Sequence, residues 1–90
     1  MTKILHRASA GTLESSDALV EIAPAKTLTL SLQSIVMERF GKAIEKTAWE
    51  ELSRLGVTEA AVSISDRGAL DCVLRARIEA AVCRAGRDEE

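Results

Sequence analysis

The sequence predicts an α+β fold, a two-layer sandwich in which two helices cover one face of a mixed sheet. Short segments alternate apolar and polar residues, as half-buried strands do. Two longer segments repeat apolar residues at spacings of three and four, as amphipathic helices do. These segments follow one another in the order β-β-α-β-α, which predicts three or four strands with both helices on one face.

Two strands are predicted in the first third of the chain. Residues 18–23 place Val20 and Ile22 on one face, and residues 27–32 alternate Thr or Ser with Leu. Pro24 separates the two segments because proline lacks the N–H group that a strand ladder needs. The connection between them is short, so they are expected to pair as an antiparallel hairpin.

The chain of 90 residues is predicted to form one domain spanning residues 1–90. Residues 1–10 show no sustained period and are predicted to be a loosely ordered lead-in or a short edge strand. Residues 86–90 are charged and are predicted to be a frayed tail.

A long central helix is predicted after Ser34, which is a candidate N-cap. Its apolar residues recur on one helical face: Val36, Phe40, Ile44, Ala48, Leu52 and Leu55. Gly56 follows the last of them, at the position where a left-handed helix cap favours glycine, and Val57 can supply the accompanying apolar contact. These features predict a helix of about five to six turns with a glycine end.

The last third of the chain predicts a strand, a turn and a helix. Residues 58–65 alternate again, and the crossover from the second strand is expected to be parallel. Asp66 and Gly68 predict a turn in which Asp66 is a candidate cap. The final helix carries its apolar residues on one face: Leu70, Val73, Leu74, Ile78, Ala81 and Val82. Arg75 and Arg77 on its outer face are expected to pair with Asp71 and Glu79, the alternative being that they contact a partner protein.

The composition argues against nucleic-acid and membrane partners. The net charge is −2, and the two aromatic residues, Phe40 and Trp49, cannot form a stacking platform for single strands. No apolar run approaches the roughly 18 residues that span a bilayer, and the first residues lack the apolar region of a signal peptide. Cys72 and Cys83 have no metal-like spacing, which favours reduced thiols and a cytoplasmic location.

No catalytic set can be argued from the residues. The single histidine, His6, lies in the lead-in, away from any nucleophile at a useful spacing. Cys72 is expected to be a buried, inert thiol, since only Arg75 is placed to lower its pKa. Taken without comparison to any family, the chain is expected to be a non-catalytic domain.

One loop is rich in Gly, Ser and acidic residues. Glu14 and Asp17 flank Ser15 and Ser16 within residues 11–17. Two carboxylates can serve as a general acid and base, but only in a cleft that raises one pKa. The alternative is that these residues form a turn by bonding to nearby backbone groups.

This loop and two other segments resemble the citrate lyase acyl carrier protein family, the gamma subunit of that enzyme. The sequence Gly-Thr-Leu-Glu-Ser-Ser-Asp at residues 11–17 is similar to the family's modification site. Residues 66–77 resemble its C-terminal signature, with Arg67 where a lysine is common, and residues 35–44 resemble its central helix. The resemblance covers about residues 9–85.

The resemblance implies that Ser15, which directly follows Glu14, is modified. It would carry 2'-(5''-phosphoribosyl)-3'-dephospho-coenzyme A through a phosphodiester, installed by a separate prosthetic-group transferase. The thiol of this arm would carry acetyl and citryl groups for the alpha and beta subunits, which cleave citrate to acetate and oxaloacetate. The carrier itself would not be an enzyme, and Ser16 is expected to be dispensable because relatives can carry Gly there.

Three further residues are expected to support the loop. Gly11 lacks a side chain, so the transferase can approach it closely. Glu14 and Asp17 are expected to attract a basic rim on the transferase or on the alpha and beta subunits. The same two charges are expected to repel the phosphates of the arm.

Two alternatives remain open. The carrier subunit of malonate decarboxylase resembles this family, although its Gly-Ser-Gly-Asp type of loop differs from Leu13-Glu14-Ser15. An unmodified α+β module with a scaffolding or regulatory role belongs to a different class. The ordinary four-helix acyl carrier is disfavoured because its serine begins a helix, whereas Ser15 precedes a predicted strand.

Overall fold

A computed structural model describes residues 2–86 and forms one sheet and two helices within that range. The elements are β1 (Ala8–Ala10), β2 (Ala18–Pro24), β3 (Leu28–Ser34), α1 (Met37–Arg54), β4 (Ala60–Asp66) and α2 (Asp71–Ala85). The predicted α+β class is confirmed, and the lead-in contributes the short edge strand β1.

The sheet has the order β1-β2-β4-β3. β2 is antiparallel to β1 and to β4, whereas β3 is parallel to β4. The predicted parallel crossover through α1 is therefore confirmed, but the predicted hairpin of β2 and β3 is wrong, because β4 lies between them. Burial explains this order. The inward residues Val62 and Ile64 of β4 are 3% and 1% exposed and need a strand on both sides, whereas the leucines of β3 are only half-buried at an edge.

The helices cover the apolar face of the sheet. α2 packs on β1 and β2, α1 packs beside β3, and the two helices contact each other. The buried core contains, among others, Val20, Ile22, Leu52, Val62, Ile64, Leu74, Ile78 and Val82. The predicted apolar face of α2 is confirmed from Leu74 onward, but Leu70 precedes the helix and is 69% exposed. Cys72 is exposed rather than buried, which corrects the prediction for this thiol.

The start of α1 differs from the prediction. The N-cap is Val36 rather than Ser34, and no side chain caps the helix. The Ser34 hydroxyl instead accepts a hydrogen bond from the Val36 N–H (3.1 Å) and donates one to Asp66 (2.7 Å). Phe40, predicted for the core, is 47% exposed because the first turns of α1 extend beyond the core.

The end of α1 is formed as predicted. Gly56 has a φ of 74°, its N–H donates to the carbonyl of Ser53 (3.0 Å), and the Val57 N–H donates to the carbonyl of Leu52 (3.0 Å). This pair of bonds is the Schellman motif, in which glycine takes the left-handed position without a steric penalty. Val57 is 3% exposed and supplies the expected apolar contact.

The first residues lie against the C-terminal ends of both helices. The Thr2 N–H donates to Gly56 O (3.0 Å) and the Leu5 N–H donates to Ala85 O (2.9 Å). Ile4, between them, is 6% exposed and belongs to the core. Apart from Gly86, the tail predicted at residues 86–90 lies outside the described residues.

Candidate modification site

The serine loop lies at the edge of the sheet where β2 begins and where β3 and β4 end. The first residue of β2, Ala18, is paired with Asp66 at the end of β4, and Asp66 is paired with Ser34 at the end of β3. The loop before β2 and the turn after β4 therefore meet at one edge of the sheet. The segment that leads from β3 into α1 begins at the same edge.

Ser15 occupies the second position of a tight turn. The Asp17 N–H donates to the carbonyl of Glu14 (3.2 Å), and Ser16 has a φ of 67°. A positive φ at the third position is typical of a type II turn, and glycine is the residue that adopts it most easily. Ser15 itself is exposed, and its hydroxyl makes no hydrogen bond to any residue of 2–86. The Ser15 oxygen is thus accessible for covalent modification.

Two backbone hydrogen bonds hold this turn against the rest of the protein. The Ser16 N–H donates to the carbonyl of Arg67 (2.9 Å), and the Arg67 N–H donates to the carbonyl of Asp17 (2.9 Å). The turn therefore continues the pairing of β2 with β4, and this pairing sets the position of Ser15.

The Asp17 carboxylate organises the loop from inside. It accepts hydrogen bonds from the N–H (3.1 Å) and hydroxyl (2.7 Å) of Thr12, from the Ala18 N–H (2.7 Å) and from the Arg77 guanidinium (2.8 Å). Its side chain is 13% exposed. The bond from Arg77, followed by those from Thr12 and Ala18, holds the pKa of this carboxyl well below its usual range. The charge expected to face a partner is therefore paired within the chain.

The two arginines of α2 have different partners. Arg75 binds Asp71 at 2.8 Å and Glu50 at 3.2 Å, which confirms its expected pairing with Asp71. Arg77 binds Asp17 rather than the predicted Asp71 or Glu79. Only the folded chain brings Arg77 to a residue 60 positions away, so no local spacing could have identified this pair.

The Arg77→Gln variant tests the ion pair of Arg77 with Asp17 through the pH dependence of Tm. Because the pKa of Asp17 is lowered in the folded state, the ion pair stabilises the fold above the unfolded pKa of about 4 and this contribution is lost as the pH falls below it. The difference in Tm between wild type and Arg77→Gln should thus be greatest near neutral pH and shrink below about pH 4. Thermal unfolding followed by circular dichroism from pH 7 to pH 2 measures it.

Arg84→Gln is the matched control for this experiment. Arg84 lies on the same helix and donates to a backbone carbonyl, that of Ser9 (2.8 Å), which does not titrate. Its effect on Tm should stay constant over the same pH range. An Arg77→Gln effect that is equally insensitive to pH would contradict the assigned role of Asp17.

Gly11 has a structural role in the loop. Its φ is 93°, and a Cβ atom at this position would lie 1.8 Å from the carbonyl oxygen of Ala18. The chain therefore crosses the start of β2 at a distance that only glycine permits. This internal contact is a reason for glycine that sequence reasoning missed, because it depends on the turn that brings Gly11 back to Ala18.

Two charges near Ser15 remain without ion pairs. Glu14 and Arg67 are exposed, and within the described chain neither side chain has a hydrogen bond or salt bridge. One negative and one positive group therefore flank the turn, in place of the two negative groups that the sequence predicts. Sequence reasoning missed this role of Arg67; its signal is that it directly follows β4, the strand that pairs with β2.

An apolar groove opens beside the turn, between the first half of α1 and the segment that joins β4 to α2. It has a volume of about 400 Å³. Its lining includes Phe40, Ile44, Gly68, Leu70 and Leu74.

The buried Asp66 also lines the groove, and its carboxylate accepts bonds from the N–H groups of Gly68 (3.1 Å) and Ala69 (3.0 Å). Asp66 thus holds the turn after β4, whereas the predicted cap of α2 is wrong, since its N-cap is Leu70.

The residues at this edge fit a covalently attached group better than they fit an active site. Attachment needs an exposed hydroxyl on backbone that a second protein can approach, and the Ser15 turn provides both.

Among residues 2–86 no group of three or more His, Cys, Asp or Glu could hold a metal ion. Within the same range, no helix is long and apolar enough to cross a membrane.

Comparison with known proteins gives first the class and then the family. A family model labelled ACP and described as the malonate decarboxylase delta subunit (MdcD) matches residues 5–85, which places the chain in the class of acyl carrier subunits. The chain is 49% identical over 90 residues to citrate lyase acyl carrier protein 2 of Salmonella typhimurium, covering 98% of this chain and 93% of that protein.

It is also 56% identical over 84 residues to the citrate lyase acyl carrier protein of Rhodopseudomonas palustris, covering 92% and 87% of the two chains. The protein belongs to the family of citrate lyase acyl carrier proteins.

A solved structure of another complex shares the fold. A chain of a Pseudomonas malonate decarboxylase hetero-tetramer in complex with malonate matches with a TM-score of 0.74 over 96% of this chain and 93% of that chain. The sequence identity is 22%, so this match supports the architecture alone.

Proposed function

We propose that Ser15 carries the covalent arm of this acyl carrier subunit and presents it to the catalytic subunits of citrate lyase. The observation that supports this most directly is the exposed, unbonded hydroxyl of Ser15 at the second position of a turn that Arg67 holds in place. The arm is 2'-(5''-phosphoribosyl)-3'-dephospho-coenzyme A, joined through a phosphodiester by a transferase. Its thiol supplies thioester chemistry for acetyl and citryl groups.

The residues of the carrier position the arm and perform no bond chemistry. Ser15 supplies the oxygen of the phosphodiester, while Gly11, Asp17 and Arg77 keep the turn in one conformation. Glu14 is exposed beside Ser15 and is the residue of this loop placed to contact a basic surface on the transferase. A fixed turn defines where the arm begins, so the transferase meets one geometry rather than an ensemble.

A tethered thioester suits a reaction that is divided between two subunits. The alpha subunit would exchange acetyl for citryl on the arm, and the beta subunit would cleave citryl to oxaloacetate and restore acetyl. Attachment to one carrier keeps the thioester at a high effective concentration, on the order of millimolar, at both active sites. The carrier thus removes the need to release and rebind the intermediate.

A second candidate is the carrier of malonate decarboxylase. It is favoured by the description of the matching family model and by the shared fold of the Pseudomonas complex. The relatives at 49% and 56% identity are citrate lyase carriers, which supports the first candidate. Reconstitution of the loaded carrier with each pair of catalytic subunits separates the two: citrate cleavage is expected, and malonate decarboxylation without citrate cleavage would reverse the assignment.

Mass spectrometry of the protein purified from its native host during growth on citrate tests the attachment site. Trypsin, which cuts after Arg7 and Lys26, should release residues 8–26 with one adduct of the mass of the arm. Further cleavage after Glu14 separates Ser9 from Ser15 and should leave the adduct on the C-terminal fragment. An unmodified protein, or an adduct on the fragment with Ser9, would contradict the proposal.

A further inference from the structure

We infer that the apolar groove beside Ser15 binds the nucleoside half of the arm, so that only the pantetheine half is free to reach the partner active sites. This inference rests on the proposed function, because it requires an arm on Ser15. It concerns the residues of this chain outside the modification loop, chiefly Phe40, Leu70 and Arg67.

The groove lies within reach of the attachment point. The hydrogen bond between the Ser16 N–H and the Arg67 carbonyl (2.9 Å) limits the distance between the Cα atoms of Ser15 and Arg67. With standard bond lengths that distance is at most about 8.5 Å. Gly68, the next residue, already lines the groove. In a phosphoribosyl-dephospho-coenzyme A the ribosyl and adenosine groups come first after the phosphodiester, and the thiol lies at the far end.

The apolar lining of the groove suits a purine base. Phe40 is 47% exposed and Leu70 is 69% exposed, so both large side chains have apolar surface that a ligand can cover. Nucleobases stack on exposed aromatic rings regardless of their sequence identity. The Arg39 guanidinium lies 5.3 Å from the centroid of the Phe40 ring and helps to hold that ring. The volume of about 400 Å³ is within the range of small-molecule sites.

Arg67 is the charge at this edge that favours the phosphates of the arm, whereas the Glu14 carboxylate, unpaired among residues 2–86, lies beside Ser15. Arg67 is exposed and, within the described residues, makes no ion pair, whereas Arg54, Arg75 and Arg77 each bind a carboxylate. Asp17 is neutralised by Arg77, so it does not oppose a phosphate on Ser15. A guanidinium can donate two parallel hydrogen bonds to a phosphate group. Arg67 is therefore a positioning residue for the phosphodiester.

Comparison of the loaded and unloaded carriers by NMR tests the inference without measuring activity. In the wild type, loading should shift the methyl signals of Ile44, Leu70 and Leu74 and should give contacts between the adenine protons and the Phe40 ring. Phe40→Ala should abolish those contacts and reduce the methyl shifts at least threefold. Phe40 is half-exposed and alanine favours a helix, so the variant should fold.

Trp49→Ala is the matched control. Trp49 lies on the same helix, is 37% exposed and does not line the groove, so its loaded form should show the wild-type shifts. Arg67→Gln should also reduce the shifts, and Arg67→Lys should retain more of them.

Two results would overturn the inference: a carrier with the adduct mass whose shifts are confined to residues 11–17, or a Phe40→Ala carrier with unchanged shifts. Absence of any adduct contradicts the proposed function instead.

Discussion

Ser15→Ala is expected to give a folded carrier that accepts no arm. The variant lacks the hydroxyl that accepts the arm under the proposal, so loading should fall to zero rather than by a fraction. Because Ser15 is exposed, Tm should change by no more than about 4 °C. Intact mass after incubation with the transferase and its precursor measures loading, and citrate cleavage with the alpha and beta subunits should remain at background.

Ser16→Ala is the control for this experiment. Its hydroxyl is one residue away on the same turn, but its backbone N–H, rather than its side chain, makes the bond to Arg67. Loading of Ser16→Ala should be complete. If Ser15→Ala is loaded and Ser16→Ala is not, the attachment point is Ser16, and the turn presents the second serine instead of the first.

Gly11→Ala is expected to cause the largest loss of stability among single substitutions in the loop. The new Cβ would lie 1.8 Å from the Ala18 carbonyl oxygen, a backbone atom that can move only if β2 is displaced. The backbone φ of residue 11, 93°, is also unfavourable for alanine. Together these effects should lower the free energy of unfolding by about 3 kcal/mol or more, with Tm lower by more than about 10 °C.

Gly68→Ala separates the two causes. Gly68 has a similar φ of 88°, but the nearest atom to its Cβ would be Ile35 Cδ1 at 3.9 Å, an ordinary contact. This variant should therefore show only the backbone cost, about 1–2 kcal/mol. Chemical denaturation of both variants measures the difference, and equal losses would show that the contact of Gly11 with Ala18 does not matter.

The local features of the fold could be predicted because they follow from neighbouring residues. Alternation identified β2, β3 and β4, and the Gly56-Val57 pair identified the end of α1. The order of strands could not be obtained in this way. A hairpin of β2 and β3 agrees with every local signal, and only the burial of both flanks of β4 places that strand between them.

The candidate site also has some features that follow from neighbouring residues and others that depend on the fold. The exposed turn at Ser15 was predicted from its Gly, Ser and acidic residues, and its attachment role from a resemblance. The roles of Arg67 and Arg77 could not be predicted, because each meets the loop across a long stretch of sequence. Phe40 was assigned to the core because helical periodicity gives the face of a residue but not where along the helix the core ends.

The insertion of β4 between β2 and β3 has a consequence for synthesis of the protein. A nascent chain that has emerged only as far as α1 lacks β4. Strands β2 and β3 therefore have no strand between them with which to pair. The groups that lock the serine turn, at positions 67 and 77, are translated after the turn itself, and Arg77 comes 60 positions later than Asp17. The turn can therefore take this shape only after residue 77 has been translated, and chains truncated before that position lack the groups that hold it.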